Sequence, residues 1–568
     1  MFARVKKSGN YQYLQIVENR KEKGKVKQRV IATVGRMDQL QSKGRVETLI
    51  RSLSRFSEQA LLIISGQSDL AVDAKKIGPA LIFERLWKET GIKAAIARVL
   101  AGRKFEFDVE RAIFLTVLHR LMVSGSDRFC HRWCRDYTID GIDDLDLHHL
   151  YRAMGFLGEA IQDQDGATVF SPRCNKDLVE ELIFTHRRDL FSNLDLVFFD
   201  TTSIYFEGRG GESIGQRGFS KDHRPDLVQM VVGAVLDDKG QPICCEMWPG
   251  NTADVKTLLP IVDRLKTRFK IARICIVADR GMIGADTLKQ LESEDSSIPY
   301  ILGARMRKVK QIRDRVLSQP GRYKLVRPES SDRNQPAPLK VKQVEIDGCR
   351  YIVCVNTRQQ RKDAADRQAI VSALTEQLKK GPKSLVGNKG FRKYVKIEKG
   401  STSIDEKRIK DDARFDGKWV LRTNTDLSAD QVALKYKELW QVEKVFRDVK
   451  SLLTTRPIFH QKDRTIRGHV FCSFLALVLR KELDRRLSKA GHRFEWAEIK
   501  QDLKALQRVT IEEDGRRLAI RSQSKGVCGK IFQAVGVAMP PTIQPVRTEP
   551  EIFKGSAKNI AASCSMLK

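Results

Sequence analysis

The stretch Leu194–Glu207, LDLVFFDTTSIYFE, constrains the fold most, because it reads as a buried strand with one acidic residue at its polar end. Val197, Phe198 and Phe199 form the apolar run of a central strand covered on both faces, and Asp200 interrupts it just before Thr201 and Thr202. A carboxylate there is costly unless something compensates it. Two readings are open. Asp200 caps a strand-end turn by bonding nearby backbone amides, or it is a metal ligand, which requires further carboxylates.

Further carboxylates occur twice. Ile274–Arg280, ICIVADR, is a second apolar strand ending in Asp279, followed by Gly281 and the helix-like Asp286–Glu292. Glu443 lies in the helical stretch Tyr436–Lys450, YKELWQVEKVFRDVK, where Tyr436, Glu443, Arg447 and Lys450 share one face, while Val442, Val445, Phe446 and Val449 give the other face an apolar surface for packing on a sheet. Three converging carboxylates suit Mg²⁺ or Mn²⁺, hard cations that prefer oxygen ligands in octahedral geometry. Two such ions about 3.5 to 4 Å apart activate a nucleophilic oxygen and stabilise the leaving oxygen of a phosphodiester. No histidine or cysteine set competes: Cys130 and Cys134 in CHRWC lack a second ligand pair.

The elements around Asp200 follow an order. Leu227–Val235 and Pro242–Trp248 flank Asp237-Asp238-Lys239-Gly240, the chemistry of a hairpin turn. Val255–Phe269 reads as an amphipathic helix, Ile274–Ala278 as a strand, Ala285–Glu292 as a helix and Tyr300–Ala304 as a strand. Strand, hairpin, helix, strand, helix, strand is the ribonuclease H-like order, which puts Asp200 and Asp279 on neighbouring strands. Roughly 160 residues separate Asp279 from Glu443, too many for a connection inside a compact domain, so something is inserted. The insertion holds a hairpin at Leu339–Val355 around Asp347-Gly348, a helix at Lys362–Lys380, and strand candidates at Phe391–Ile397 and, just beyond it, Trp419–Leu421. Within it Arg392 and Lys393, among other lysines and beside Phe391 and Tyr394, suit phosphate contact with base stacking, or else a solvated loop.

The order Asp200, Asp279, Glu443, with DRG at the second Asp and Tyr436 and Lys450 each seven residues from Glu443, resembles the DDE transposases of bacterial insertion sequences. More narrowly it resembles the branch with a Tyr-Arg-Glu-Lys signature and a β-rich insertion in the catalytic domain. Supporting stretches are SKDHRPDLVQ from Ser220, PGNTAD from Pro249, LVGNKGFRKY from Leu385 and ELWQVEKVFRDVKSLLTTRPIFH from Glu438, and the resemblance covers roughly residues 1–490. It implies Asp200, Asp279 and Glu443 as the metal-binding catalytic triad, with Mg²⁺ or Mn²⁺, two ions, as cofactor. It implies DNA contacts by Tyr436 and Lys450 near the scissile phosphate. The signature's Arg position is Leu439 here; Arg447 either substitutes for it or is an ordinary i, i+4 partner of Glu443.

Lys and Arg number 103 against 71 Asp and Glu, a net charge of +32, which argues for a polyanionic partner and says nothing of fold. The eleven cysteines show no even framework, Met1–Gly9 carries no leader-like apolar segment, and the longest apolar run, Val470–Leu479, is too short for a bilayer. A cytoplasmic, nucleoid-associated bacterial protein is expected. His148 and His149 read as helix-surface residues.

The expected organisation is α/β: a basic β meander with linker at 1–60, a helical DNA-binding region at 61–190, the ribonuclease H-like core at 191–306 and 416–490, a β-containing insertion at 307–415, and a helical region with a tail at 491–568. The function expected is transposition, with cleavage at the inverted-repeat ends and strand transfer into target DNA, by a homodimer in the DNA complex. A structure-selective nuclease of the same fold and a non-catalytic DNA-binding regulator are the alternatives.

Overall fold

The computed structural model describes residues 2–22, 25–41, 71–165, 167, 171–188, 196–271, 274–293, 298–327, 338–379, 393–398, 401–448, 458–513 and 516–546. The chain forms two compact units, residues 1–78, 496–530 and 538–568 in one, 79–495 and 531–537 in the other. The first begins with the meander: β1 (Phe2–Ser8), β2 (Tyr11–Glu22) and β3 (Lys25–Arg36) form an antiparallel sheet in that order, with Gly9 turning β1 into β2 at φ 59°. β4 (Ala71–Lys76) follows and belongs to a different sheet.

The second unit is built on a nine-stranded sheet. β5 (Leu196–Tyr205), β6 (Gln229–Asp237) and β7 (Pro242–Pro249) form an antiparallel meander. The β6–β7 turn is held by Asp237 Oδ1, which accepts from the amides of Lys239 (2.9 Å) and Gln241 (2.7 Å). β8 (Cys275–Ala278) lies parallel to β5, and β9 (Tyr300–Ala304) parallel to β8. Crossovers through the helices Leu258–Thr267 and Ala285–Leu291 make those parallel pairings reachable. The helix Leu258–Thr267 buries its apolar side on Val197 and Phe199 of β5, Val231 and Val235 of β6, and Trp248 of β7.

The segment read as an insertion is fused to this sheet. β10 (Lys324–Val326), β11 (Leu339–Ile346) and β12 (Cys349–Asn356) continue it through β15 (Lys418–Thr423), giving the order β10-β11-β12-β15-β9-β8-β5-β6-β7. Asp347 and Gly348, at φ 53° and 72°, form the left-handed pair that a tight β11–β12 hairpin requires. Outside this sheet, β13 (Val395–Glu398) and β14 (Ser401–Ile404) pair with each other; Leu374 of the helix Thr357–Lys379 and Tyr394 are buried in a small core of their own.

The helices expected between 79 and 162 form, with Val109–Met122 as read and the next ending at Leu157 rather than Ile161. They pack with the long helix Asp463–Lys489, buried throughout Val470–Leu479. At Gly468 the two helices come so close that a Cβ would fall on the Met154 carbonyl. His149, read as a surface residue, is buried: its Nδ1 accepts from the Asp146 amide at 3.0 Å and its ring stacks on Phe107. Among the described residues no helix is long and apolar enough to cross a membrane.

The C-terminal part of the first unit departs from the expected helix and tail. It contains the helix Trp496–Ala505 and then β16 (Gln507–Glu513), β17 (Arg516–Arg521) and β18 (Ile543–Val546), which with β4 form the sheet β18-β17-β16-β4. The four strands run only four to seven residues, too short for a period to stand out locally.

Candidate active site

Strand alternation decides what meets Asp200. Val197 and Phe199 of β5, and Ile276 and Ala278 of β8, point into the core under the Leu258–Thr267 helix. Asp200 and Asp279, one step on, therefore face the opposite side of the sheet. Phe199 pairs with Ala278 in the parallel register, so the two carboxylates stand side by side on strands roughly 4.8 Å apart. That side is covered by the helices Ala429–Lys437, on β8 and β9, and Trp440–Arg447, on β5 and β6.

Both aspartates are held at one oxygen. The Thr201 amide donates to Asp200 Oδ1 at 2.7 Å, and the Tyr436 hydroxyl donates to Asp279 Oδ1 at 2.9 Å. Burial pushes the Asp200 carboxyl up to about 6; Lys221 and the Thr201 amide pull it down, while Asp279 and Asp254 push it further up. Burial, and then Asp279, raise the Tyr436 phenol far above its usual range, so it remains a donor. The ring lies against Gly303 of β9, where a Cβ would collide with the hydroxyl.

Two further side chains complete the site. Asp254 Oδ1 accepts from Thr201 Oγ1 at 2.7 Å, and Lys221 Nζ reaches Thr201 O (2.7 Å), Thr201 Oγ1 (2.9 Å) and Asp254 Oδ2 (3.1 Å). Sequence reasoning did not single out either one. Their signal was present, since Lys221 lies in SKDHRPDLVQ and Asp254 ends PGNTAD. Arg305 ties down the loop after Asp279 by donating to Arg280 O and Gly281 O, both at 2.9 Å. Asp200, Asp279 and Asp254 offer only oxygen ligands, the kind a hard divalent cation takes, but their oxygens do not all lie within 4.8 Å of one another, and Asp254 is already ion-paired with Lys221.

Glu443 sits on the helix covering the same side of the sheet, with Val442, Val445 and Phe446 buried beneath it and its own side chain exposed. The carboxylates of Asp200, Asp279 and Glu443 do not all lie within 4.8 Å of one another. The stretch from Tyr436 is not one uninterrupted helix. Gln441 and Val442 donate to carbonyls only three residues back, and this tighter turn alters the shared face that a regular helix would give Tyr436 and Glu443. Leu439, at the signature's Arg position, is buried at 6% exposure and serves as packing. Arg447 is exposed. Lys450 and Arg392 lie outside the described residues. Lys393 is exposed and ion-paired with Asp412, and Tyr394, buried with its hydroxyl 2.8 Å from Asp412 Oδ2, is no stacking surface.

The groups of three among the described residues that are close enough to ligate lie elsewhere. Asp177, Glu180 and Glu246 are already compensated by Lys176, Arg264 and Arg268, which pin the helix Asn175–Arg187 to β7 and to the helix Leu258–Thr267. Asp127, His460 and His469 enclose the guanidinium of Arg120, which lies 2.9 Å from His469 Nδ1 and 3.8 Å from Asp127. A cation there would meet a resident positive charge.

A sheet that sets two aspartates near each other under a tyrosine, in a strongly basic chain, suits a metal-dependent enzyme acting on nucleic acid. The chain belongs to the family of the transposase DDE domain, whose model matches residues 192–479, half of its length. The model for the N-terminal domain of the IS1634 family transposases matches residues 3–69. The protein is a DNA transposase of the insertion-sequence kind, an enzyme that works with divalent metal ions. No protein of curated function matches it. Among solved structures, a similar chain is the piggyBac transposase in the cryo-EM structure of its synaptic complex with hairpin DNA. It is 10% identical with a TM-score of 0.37, covering 75% of this chain and 79% of that one, a likeness too loose to assign anything.

Proposed function

We propose that Asp200, Asp279 and Glu443 are the catalytic carboxylates of this transposase, on a ribonuclease H-like core formed by β7-β6-β5-β8-β9, and that the chain belongs to the branch with the Tyr-Arg-Glu-Lys signature. The observation that carries this is the placement of Asp200 and Asp279 each one residue beyond the paired Phe199 and Ala278 of the parallel strands β5 and β8, on the side of the sheet covered by the helix of Glu443. Asp200, Asp279 and Glu443 would hold two Mg²⁺ or Mn²⁺ ions, whose chemistry would be to activate a water and to stabilise the leaving 3′-oxygen. The protein's own part is positioning. Thr201 and Tyr436 each fix one oxygen of an aspartate. Lys221 holds Thr201 and Asp254 in place. Glu443 closes on the pair when DNA docks, and Arg447 and Lys450 contact the backbone beside it.

The substrates proposed are the inverted-repeat ends of the element and then target DNA, brought together by a homodimer in the bacterial cytoplasm, on the nucleoid. The test is Mg²⁺- or Mn²⁺-dependent cleavage of DNA carrying the flanking inverted repeats, comparing the wild type with Glu443→Gln. Cutting at the ends by the wild type and its loss in the variant support the assignment. Equal cutting by both overturns it, and binding without cutting by both favours a regulator.

A further inference from the structure

Residues 206–228, which connect β5 to β6, are fixed along their backbone. Asp463 Oδ1 accepts from the Glu212 amide at 2.8 Å, and Gln216 exchanges two backbone hydrogen bonds with Gln229 at 3.0 Å. Gly218 approaches Gly250 so closely that a Cβ would fall on its carbonyl. Gln229 Nε2 donates to Phe219 O at 2.9 Å, Ser220 Oγ accepts from the Arg224 amide at 3.1 Å, and the Lys221 amide donates to Ser203 Oγ at 2.9 Å. From this anchored chain the side chain of Phe219 projects 86% exposed, more than any other large apolar side chain among the described residues.

A lone exposed Phe is ordinary. Phe219 differs in being held from both sides, two residues before Lys221, whose ammonium bonds Thr201 and Asp254 beside the paired aspartates. The exposed side chains of Arg217, His223 and Arg224 flank it, Arg224 ion-paired with Asp226 at 2.9 Å. An aromatic ring among cations next to a phosphodiester site is the combination that grips a single strand, the cations on phosphates and the ring on a base. A duplex offers no free base face to such a ring, so its partner is a base out of the stack.

We propose that Phe219 is a positioning residue that stacks on an unpaired base of the DNA end next to the scissile phosphate and holds that strand over Asp200 and Asp279. The proposal rests on the active-site assignment above. Its test uses the full chain and a duplex of the flanking inverted repeat with 5-iodouracil on either side of the cleavage point, irradiated in Ca²⁺, with the adduct mapped by mass spectrometry. An adduct on Phe219 is expected. Phe219→Leu, which keeps apolar bulk but lacks a ring, should slow cleavage in Mg²⁺ by about 10-fold, and Phe219→Trp should restore it.

Adducts elsewhere with Phe219 unmodified overturn the proposal, as does cleavage by Phe219→Leu at the wild-type rate. A Phe219→Leu effect confined to self-association in sedimentation also overturns it, because the ring would then face a second copy of the chain. Asp200→Asn separates the two levels. Undiminished cleavage by that variant rejects the active-site assignment, whereas the adduct, formed without cleavage, reports on Phe219 alone.

Discussion

Tyr436 reaches Asp279 from a helix 157 residues downstream and donates its hydroxyl to Oδ1 at 2.9 Å. A hydrogen bond to a carboxylate contributes about 1.5 to 3 kcal/mol, so Tyr436→Phe should slow end cleavage by roughly 10-fold or more while the fold is kept. Gly303→Ala, whose Cβ would meet that hydroxyl and come within 3.0 Å of the Arg280 amide, should lower both the cleavage rate and the melting temperature. Single-turnover rates and thermal melts check both, and a Tyr436→Phe enzyme that cuts at full rate would remove the tyrosine from the site.

Asp200 is ionised at neutral pH against the cost of its burial. Asp200→Asn should therefore raise the melting temperature in EDTA while abolishing cleavage and leaving DNA-end binding intact. Added Mg²⁺ should stabilise the wild type, by up to about 2.7 kcal/mol at 100 times the dissociation constant, and not the variant. Equal Mg²⁺ shifts in both proteins would show that the ion binds elsewhere.

His119 packs against the rings of Phe129 and Trp133, and its buried Nε2 has no hydrogen-bond partner among the described residues. Burial, aided by Arg120, lowers its pKa from 6.5 to about 4. The folded pKa lies below the unfolded one, so between these values the unfolded chain binds the extra proton. The stability contributed by the neutral ring is complete above pH 6.5 and is lost as the pH falls toward 4, by about 3 kcal/mol. Denaturant titrations of the wild type and His119→Phe should diverge by that amount across this window, the wild type weakening more steeply. Parallel pH profiles would contradict it.

Leu439 is packing, so restoring the signature's arginine should not restore a DNA contact. Leu439→Arg places an unpaired charge at a position 6% exposed and should destabilise the protein by about 3 kcal/mol, with no gain in affinity for the inverted repeats. Tighter binding by a stable Leu439→Arg protein would refute this.

What the sequence made legible was whatever has a local period. The run before Asp200, the run before Asp279, the Asp237–Gly240 turn and the helix Val109–Met122 all stand where their alternation or helical spacing puts them. Their order was enough to set Asp200 beside Asp279, because a parallel crossover through a helix returns the chain to the neighbouring strand. The pairing of β4 with β16 was illegible, since it joins residues 71–76 to 507–512 with no local signal at either end. Lys221 and Asp254 were visible only as members of longer stretches; their meeting depends on a loop and a turn that carry no period. Tyr394 and His149 read as accessible in sequence yet are buried, because a polar neighbourhood in sequence does not reveal a buried one in space.

β15 is hydrogen-bonded to β9 on one side and to β12 on the other. A variant lacking the strands from Lys324 to Asn356 would leave β15 with an open row of amides and carbonyls, where the intact sheet ends instead on the three-residue β10. A long bare edge of that kind recruits other chains, whereas a very short one does not. The loss expected from trimming this segment is therefore of the monodisperse protein itself, as aggregation during expression, before any effect on its chemistry can be measured.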